Sequence, residues 1–152
     1  QKFKTAAQHK GAILAVRIGE SPDVLSLDNE RMEPFLKDVV RSEPAIQFLA
    51  ITGLDGKQIT QVHTQRGEKG LFRPLLKENF NQHEWFREVI SSGKPYASDL
   101  FFSKFTDKLI MTFAVPILGL SGDIVAVMDV DFKFDELTQL VSDLPRDIIE
   151  DE

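Results

Sequence analysis

The chain has 152 residues, 42% of them apolar and 28% charged, the balance of a folded globular domain with one core. Its net charge of −6 disfavours nucleic acid, which needs a basic footprint, and the absence of cysteine excludes a disulfide framework and a thiolate zinc site. Twelve Phe stand against one Trp and one Tyr, so unsubstituted rings pack the core, and Trp85 and Tyr96 are the large aromatics with a polar handle.

Residues 1–19 read as a helix with an imperfect apolar face of Phe3, Ala6, Ala7, Ile13, Leu14 and Val16. Gly11 weakens it by about 1 kcal/mol relative to alanine, and Gly19 stops it. Such a helix packs on its own domain or on a second copy, giving a homodimer. No run approaches the roughly 20 apolar residues of a membrane span, and no signal peptide is visible. A chain that opens on Gln1 rather than Met reads as a piece of a longer protein.

Residues 21–29 are predicted as a loop carrying Pro22. A second helix follows, with Pro34 in its first turn and Met32, Phe35, Leu36, Val39 and Val40 on its buried side. Glu43-Pro44 ends it, because the residue before proline avoids the helical region. Residues 46–52 form a strand, Asp55-Gly56 a turn, and 58–62 a returning strand. Residues 64–78 read as a loop with at most a helical turn at Leu75-Leu76. Its Arg66, Lys69, Arg73 and Lys77 make a solvated face, or a lid in which Arg66 or Arg73 meets an anion.

A capped helix comes next. Asn81 is placed as N-cap, Glu84 as its capping-box partner, and Phe80 and Trp85 as a hydrophobic staple. Trp85, Phe86, Val89 and Ile90 form the apolar stripe; Gly93 ends the helix in a left-handed conformation and Pro95 stops it re-forming. Strands over 100–105, 109–117 and 123–132 follow, linked by Thr106-Asp107-Lys108 and Gly119-Leu120-Ser121-Gly122. Asp135 then caps a short helix with Leu137, Leu140, Val141 and Leu144 on one side; Pro145 ends it, and 146–152 begin a linker. One domain over 1–152 is expected: an α+β fold with an antiparallel sheet of about five strands and a long N-terminal helix.

Strand alternation sorts the faces of the last two strands. Leu109, Met111, Phe113, Val115 and Ile117 share a bulky core face; Ile110, Thr112, Ala114 and Pro116 share a smaller one with a hydroxyl, suited to a cavity floor. In the final strand Asp129 and Asp131 share a face with Val125 and Val127, their positions about 6.5–7 Å apart. An Asp on a covered sheet is costly unless paired, and an arginine, turn N–H groups or a cationic ligand would satisfy it. Asp131, near the strand end, fits a structural role; Asp129, deeper, fits ligand contact.

Catalysis finds no support. His83-Glu84 begins like a zincin motif, but position 87 is Arg, so the second ligand is missing. No Gly-rich phosphate loop or Gly-x-Ser-x-Gly elbow accompanies Asp129-x-Asp131. No metal and no cofactor are expected.

The motifs Trp85-Phe86, Gly93-Lys94-Pro95-Tyr96-Ala97-Ser98, Ile110 to Ile117 and Gly122 to Phe132 together resemble the signature of Cache domains, the PAS-like extracytoplasmic sensors also called the PDC fold. The resemblance runs from about Met32 to Leu140. It implies the periplasmic part of an inner-membrane receptor whose long first helix emerges from the membrane, with a histidine kinase, a chemoreceptor or a diguanylate cyclase as output. It also implies a pocket in which an Arg-x-Trp-Tyr helix start takes a ligand carboxylate and an Asp on the last strand takes the ammonium. Trp85 matches, Phe86 stands for the Tyr, Tyr96 and Ser98 match the following pair in type, and Asp129 or Asp131 matches the acid. His83 occupies the Arg position, and an imidazole lacks the fixed positive fork of Arg. The expected ligand is a small polar metabolite such as an amino acid, an amine or a short carboxylate helped by protonated His83. The expected contacts are His83, Trp85, Phe86, Tyr96, Ser98, Thr112, Asp129 and Asp131. A ligand-free dimerisation or transmission domain, its pocket filled by phenyl rings, is the alternative.

Overall fold

The structure is a computed structural model that describes residues 2–141. The side chain of Phe3, and Leu144, Pro145 and the 146–152 linker, lie outside the described residues. Five helices and six strands run in the order α1 (Lys2–Gly19), α2 (Pro22–Leu25), α3 (Asn29–Ser42), β1 (Ile46–Thr52), β2 (His63–Thr64), a 3-10 segment (Lys69–Leu75), α4 (Glu84–Ser92), β3 (Tyr96–Ala97), β4 (Phe101–Phe102), β5 (Leu109–Leu118), β6 (Ile124–Lys133) and α5 (Phe134–Val141). The strands make one antiparallel sheet, β2-β1-β6-β5-β3, with β4 also on β5.

The sheet separates two cores. On one face, α1, α3 and α5 bury Ala6, Ala7, Ala15, Met32, Leu36, Val40 and Leu137 against Met111, Phe113, Met128, Val130 and Phe132. The predicted alternation of β5 and β6 holds here: the bulky odd-numbered side of β5 faces these helices. Gly11 has a structural reason beyond propensity. A Cβ there would lie 2.6 Å from the Phe113 ring, so the helix approaches the sheet only because that position carries no side chain. The N-terminal helix therefore packs on its own domain. On the other face, α4 and the 3-10 segment bury Phe48, Phe72, Phe80, Trp85, Phe86 and Val89 against Ala50, Ala114 and Val127.

Several local expectations are corrected. Residues 21–29 hold a short helix, α2, because the Ser21 hydroxyl accepts the Asp23 N–H at 3.3 Å and Pro22 fits a first helical position. Asp28 caps α3 by accepting the Glu30 N–H at 3.0 Å. Pro34 consequently falls in the second turn, where its missing N–H leaves the Glu30 carbonyl without a helical donor. The 58–62 strand does not form. After the turn closed by Gly53 N–H to Lys57 O at 2.8 Å, only Thr52 and Gln58 bridge. The Ile59 and Thr60 N–H groups both reach Ile51 O, and the Thr60 hydroxyl accepts the Ile51 N–H, so a side chain replaces the ladder. Pairing resumes only at β2, where Gln65 Nε2 donates to the carbonyls of Val40, Glu43 and Ile46.

Residues 69–75 coil into the 3-10 segment rather than a loop. The N-cap of α4 is His83, not Asn81: the Asn79 carboxamide oxygen captures the Asn81 N–H at 2.8 Å, and the helix starts at Glu84, whose carboxylate accepts the Tyr96 hydroxyl instead of closing a capping box. Phe80 and Trp85 still meet, ring centroids 5.5 Å apart, while Ile90 is exposed. Gly93 ends α4 at φ 71°, as expected of a left-handed stop. The 100–105 strand shrinks to β4, because the Ser103 hydroxyl takes the N–H groups of Phe105 and Thr106 and turns the chain early. Asp135 lies inside the first turn of α5 rather than before it.

Candidate ligand-binding site

The second face of the sheet carries a cavity of about 510 Å³. Its floor is β5 and β6. Residues Ile110, Thr112, Asp129 and Asp131 open into it, all on the parity opposite the helical core. Cross-strand register explains the room above Asp129: its neighbours are Ala50 on β1 and Ala114 on β5, the smallest side chains on that row. Asp131 lies between Phe48 and Thr112, and the Thr112 hydroxyl donates to Asp131 Oδ1 at 2.8 Å. A register shift in β1 between Ile46 and Phe48 turns both Gln47 and Phe48 to the cavity side. Gln47 is held by the Thr106 hydroxyl, which donates to its Oε1 at 3.0 Å.

The walls come from the segment before α4 and from its first turn. Gly56 O accepts the Phe80 N–H at 2.9 Å and Phe80 O accepts the His83 N–H at 3.1 Å. This run sets Phe80, His83 and Trp85 side by side, with centroid separations of 5.0 to 5.9 Å. Glu78 joins the wall, 3.1 Å from His83 Nε2. Phe72, Pro74 and Leu75 of the 3-10 segment form the roof, and residues 101–105 form a lid whose Phe102 is 72% exposed. Rings border the space without filling it.

Asp129 is the site's electrostatic anomaly. It is 3% exposed, and its Oδ1 has no hydrogen-bond partner. Burial, then the neighbouring Asp131 charge, push its carboxyl well above the ordinary carboxylate range. Burial raises Asp131 to about 6, against the opposing bonds from Thr112 and Asp129. Asp129 therefore keeps its proton past the pH at which an ordinary carboxyl ionises.

Five predicted site residues, His83, Trp85, Thr112, Asp129 and Asp131, border this one cavity. Phe86, Tyr96 and Ser98 do not. Phe86 is buried between α4 and the sheet. Tyr96 shares the cavity side of the sheet but lies opposite Ala114, and its hydroxyl donates to Glu84 at 3.0 Å; burial and that bond push the phenol up to about 12. Ser98 is consumed by β5, its hydroxyl oxygen accepting the Thr112 N–H at 2.9 Å and donating to Asp99 O at 2.8 Å. Arg66 and Arg73 are exposed and do not line the cavity.

The family described as "Methyl-accepting chemotaxis protein-like, first PDC sensor domain" matches residues 32–139. The chain belongs to this family. The Cache resemblance and the antiparallel α+β architecture are therefore those of a PDC domain. The sensory domain of the Campylobacter jejuni chemoreceptor Tlp3 with isoleucine bound is similar over 94% of this chain and 57% of that one, with TM-score 0.58 and 15% identity. The Escherichia coli DcuS sensor domain is similar over 94% of this chain and all of that one, with TM-score 0.63 and 12% identity. At such identities these likenesses concern the fold alone. A curated protein named citrate (Re)-synthase, from Syntrophus aciditrophicus, is 28% identical over 140 residues, and this chain spans only 22% of its length.

Sequence reasoning missed much of the wall of this PDC domain. Phe48 and Gln47 share the cavity only through the β1 register shift, and Phe72, Phe101 and Phe105 reach it from short irregular segments. The Phe count of the chain was the available signal, but it does not say which rings line and which fill. Among the described residues, no helix is long and apolar enough to cross a membrane.

Proposed function

We propose that this PDC domain is the extracytoplasmic small-molecule sensor of a membrane receptor, and that a small polar metabolite sits in the cavity on His83, Trp85, Thr112, Asp129 and Asp131. The observation that carries this reading is the unpartnered Asp129 Oδ1 on the floor of an unfilled cavity. A buried polar atom without a partner costs free energy that a ligand donor restores. In this reading residues 1–19 are the signalling helix, 146–152 lead to the next module, and the output is a chemoreceptor, a histidine kinase or a diguanylate cyclase. Two copies would pair through the N-terminal helix.

The route to α1 is short. Thr112 faces the cavity, and the next residue, Phe113, faces α1 beneath Gly11. A ligand that draws Thr112 and Asp131 inward shifts β5 and so moves the helix seated on Phe113. It signals only to the extent that it binds one arrangement of α1 better than another.

Thermal unfolding with a panel of amino acids, amines and short carboxylates tests the reading. A compound at 100 times its dissociation constant adds about 2.7 kcal/mol, an upward shift of roughly 5–10 °C for a domain of this size. Stabilisation in the wild type that disappears in a folded Asp129→Ala variant is the expected result. No shift with any compound would instead favour a ligand-free dimerisation or transmission domain.

A further inference from the structure

We propose that the cavity takes an organic ammonium ion carrying no carboxylate, its charge lodged between Asp129 and Asp131 and its apolar body against Phe48, Phe80 and Trp85. This rests on the sensor reading above and names its ligand class.

The cavity's charges are unequally placed. Its buried end holds two carboxyls on adjacent same-face positions of β6, one with an unpartnered oxygen. The cations available to a ligand carboxylate are few. Among the described residues no arginine lines the space; His83 is engaged with Glu78, and Lys104 stands on the exposed lid. A carboxylate bonded to the same carbon as the ammonium would be held beside buried Asp129 and half-buried Asp131 with no fixed cation to neutralise it. Like charges at that distance in a water-poor site repel strongly. An ammonium without that substituent meets acceptors at the floor and aromatic rings, which attract cations, along the wall. The alanines flanking Asp129 leave space for the ammonium to reach it.

The same geometry makes binding an exchange of cations. The Thr112 hydroxyl from β5 bonds Asp131, and the cavity's other titratable groups are Glu78 and His83 from the segment before α4 and Lys104 from the lid; β1 presents Gln47 and Phe48, and α4 presents Trp85, none of which titrates. With the cavity empty, Asp129 keeps its proton because burial and Asp131 oppose its ionisation. An ammonium between the two carboxylates supplies the missing positive charge, and the proton leaves to solvent. Binding at neutral pH therefore releases protons and strengthens as pH rises through the range where the ligand stays charged.

Matched probes decide the class. 2-Phenylethylamine and n-butylamine are compared with L-phenylalanine and L-norvaline, which add only the carboxylate, and with 3-phenylpropionate and pentanoate, which lack the amine. Calorimetry in buffers of different ionisation enthalpy reads affinity and protons together. At least one amine is expected to bind roughly tenfold or more tighter than its amino acid and to release protons, with neither bare acid binding. Asp129→Asn, isosteric with the protonated side chain, is expected to weaken the amine by about tenfold or more. An amino acid binding as tightly as its amine, or a bare carboxylate binding, overturns the ammonium class and leaves the sensor reading standing. Amine affinity unchanged in Asp129→Asn also overturns it. If none of the six binds, this proposal fails, and the broader panel above judges the sensor reading separately. The wild-type comparison holds even if the variant does not fold.

Discussion

Gly56→Ala is expected to destabilise the domain by about 3 kcal/mol, far more than an exposed turn substitution normally does. Gly56 has φ 83°, a left-handed conformation costing an L residue about 1–2 kcal/mol. The larger part is steric. A Cβ at this position would lie 2.6 Å from the Asn81 backbone nitrogen and 2.7 Å from its Cβ, and would also meet the Asn79 side chain. Backbone cannot swing aside as a side-chain end can. The segment 79–81 must shift, and with it go the Phe80 N–H bond to Gly56 O and the Phe80–His83–Trp85 wall. Gly93→Ala is the control. Its φ is 71°, but its Cβ would meet nothing within 4 Å, so only about 1 kcal/mol of strain is expected. Chemical denaturation of the two variants measures the difference. Equal losses would mean that the Asn79–Asn81 contact does not hold the turn.

The unliganded domain should also lose stability as pH rises from about 4 to 7, in a part traceable to Asp129 and Asp131. In the unfolded chain these carboxyls titrate near 3.8; in the folded protein both hold their protons to higher pH, Asp131 to about 6 and Asp129 well above the ordinary carboxylate value. Folding therefore binds protons above pH 4. Their stabilising contribution is full below the unfolded value and is lost as pH rises through the folded ones. Asp129→Asn isolates it, since Asn retains an N–H donor for Asp131 and cannot ionise. The variant is expected to match the wild type near pH 4 and to be the more stable of the two at pH 7. A wild type that gains on the variant as pH rises would reverse the sign and contradict the burial of the pair. The buried carboxyl pair is thus kept at the expense of resting stability.

Where a single period governs a segment, its structure was legible in the residues. The two faces of β5 and β6 follow from alternation, and alternation alone put Thr112, Asp129 and Asp131 on the side away from Phe113 and Phe132. Helix α3 was legible from Met32, Leu36 and Val40. The failures share one cause: side chains substitute for backbone partners. Thr60 displaces the strand after Asp55-Gly56, Asn79 ties down the Asn81 N–H in a turn ahead of a helix that starts only at Glu84, and Ser103 ends β4 early. Each is a one-residue event with no periodic trace. Ser98 and Tyr96 were matched by type to a family pocket, but cross-strand pairing commits Ser98 to the Thr112 backbone and the α4 carboxylate claims Tyr96. Gly11 shows the converse, a residue unfavourable to its helix and required by its packing.

Trp85 is the chain's only tryptophan and it borders the cavity, so its emission senses changes in that space. Titrating the domain with any compound that raises its melting temperature should change Trp85 emission saturably, at the concentration that stabilises the fold, with the response weakened in Asp129→Asn. A compound that stabilises the domain while leaving both the emission and its Asp129 dependence untouched would place the ligand elsewhere and contradict the account.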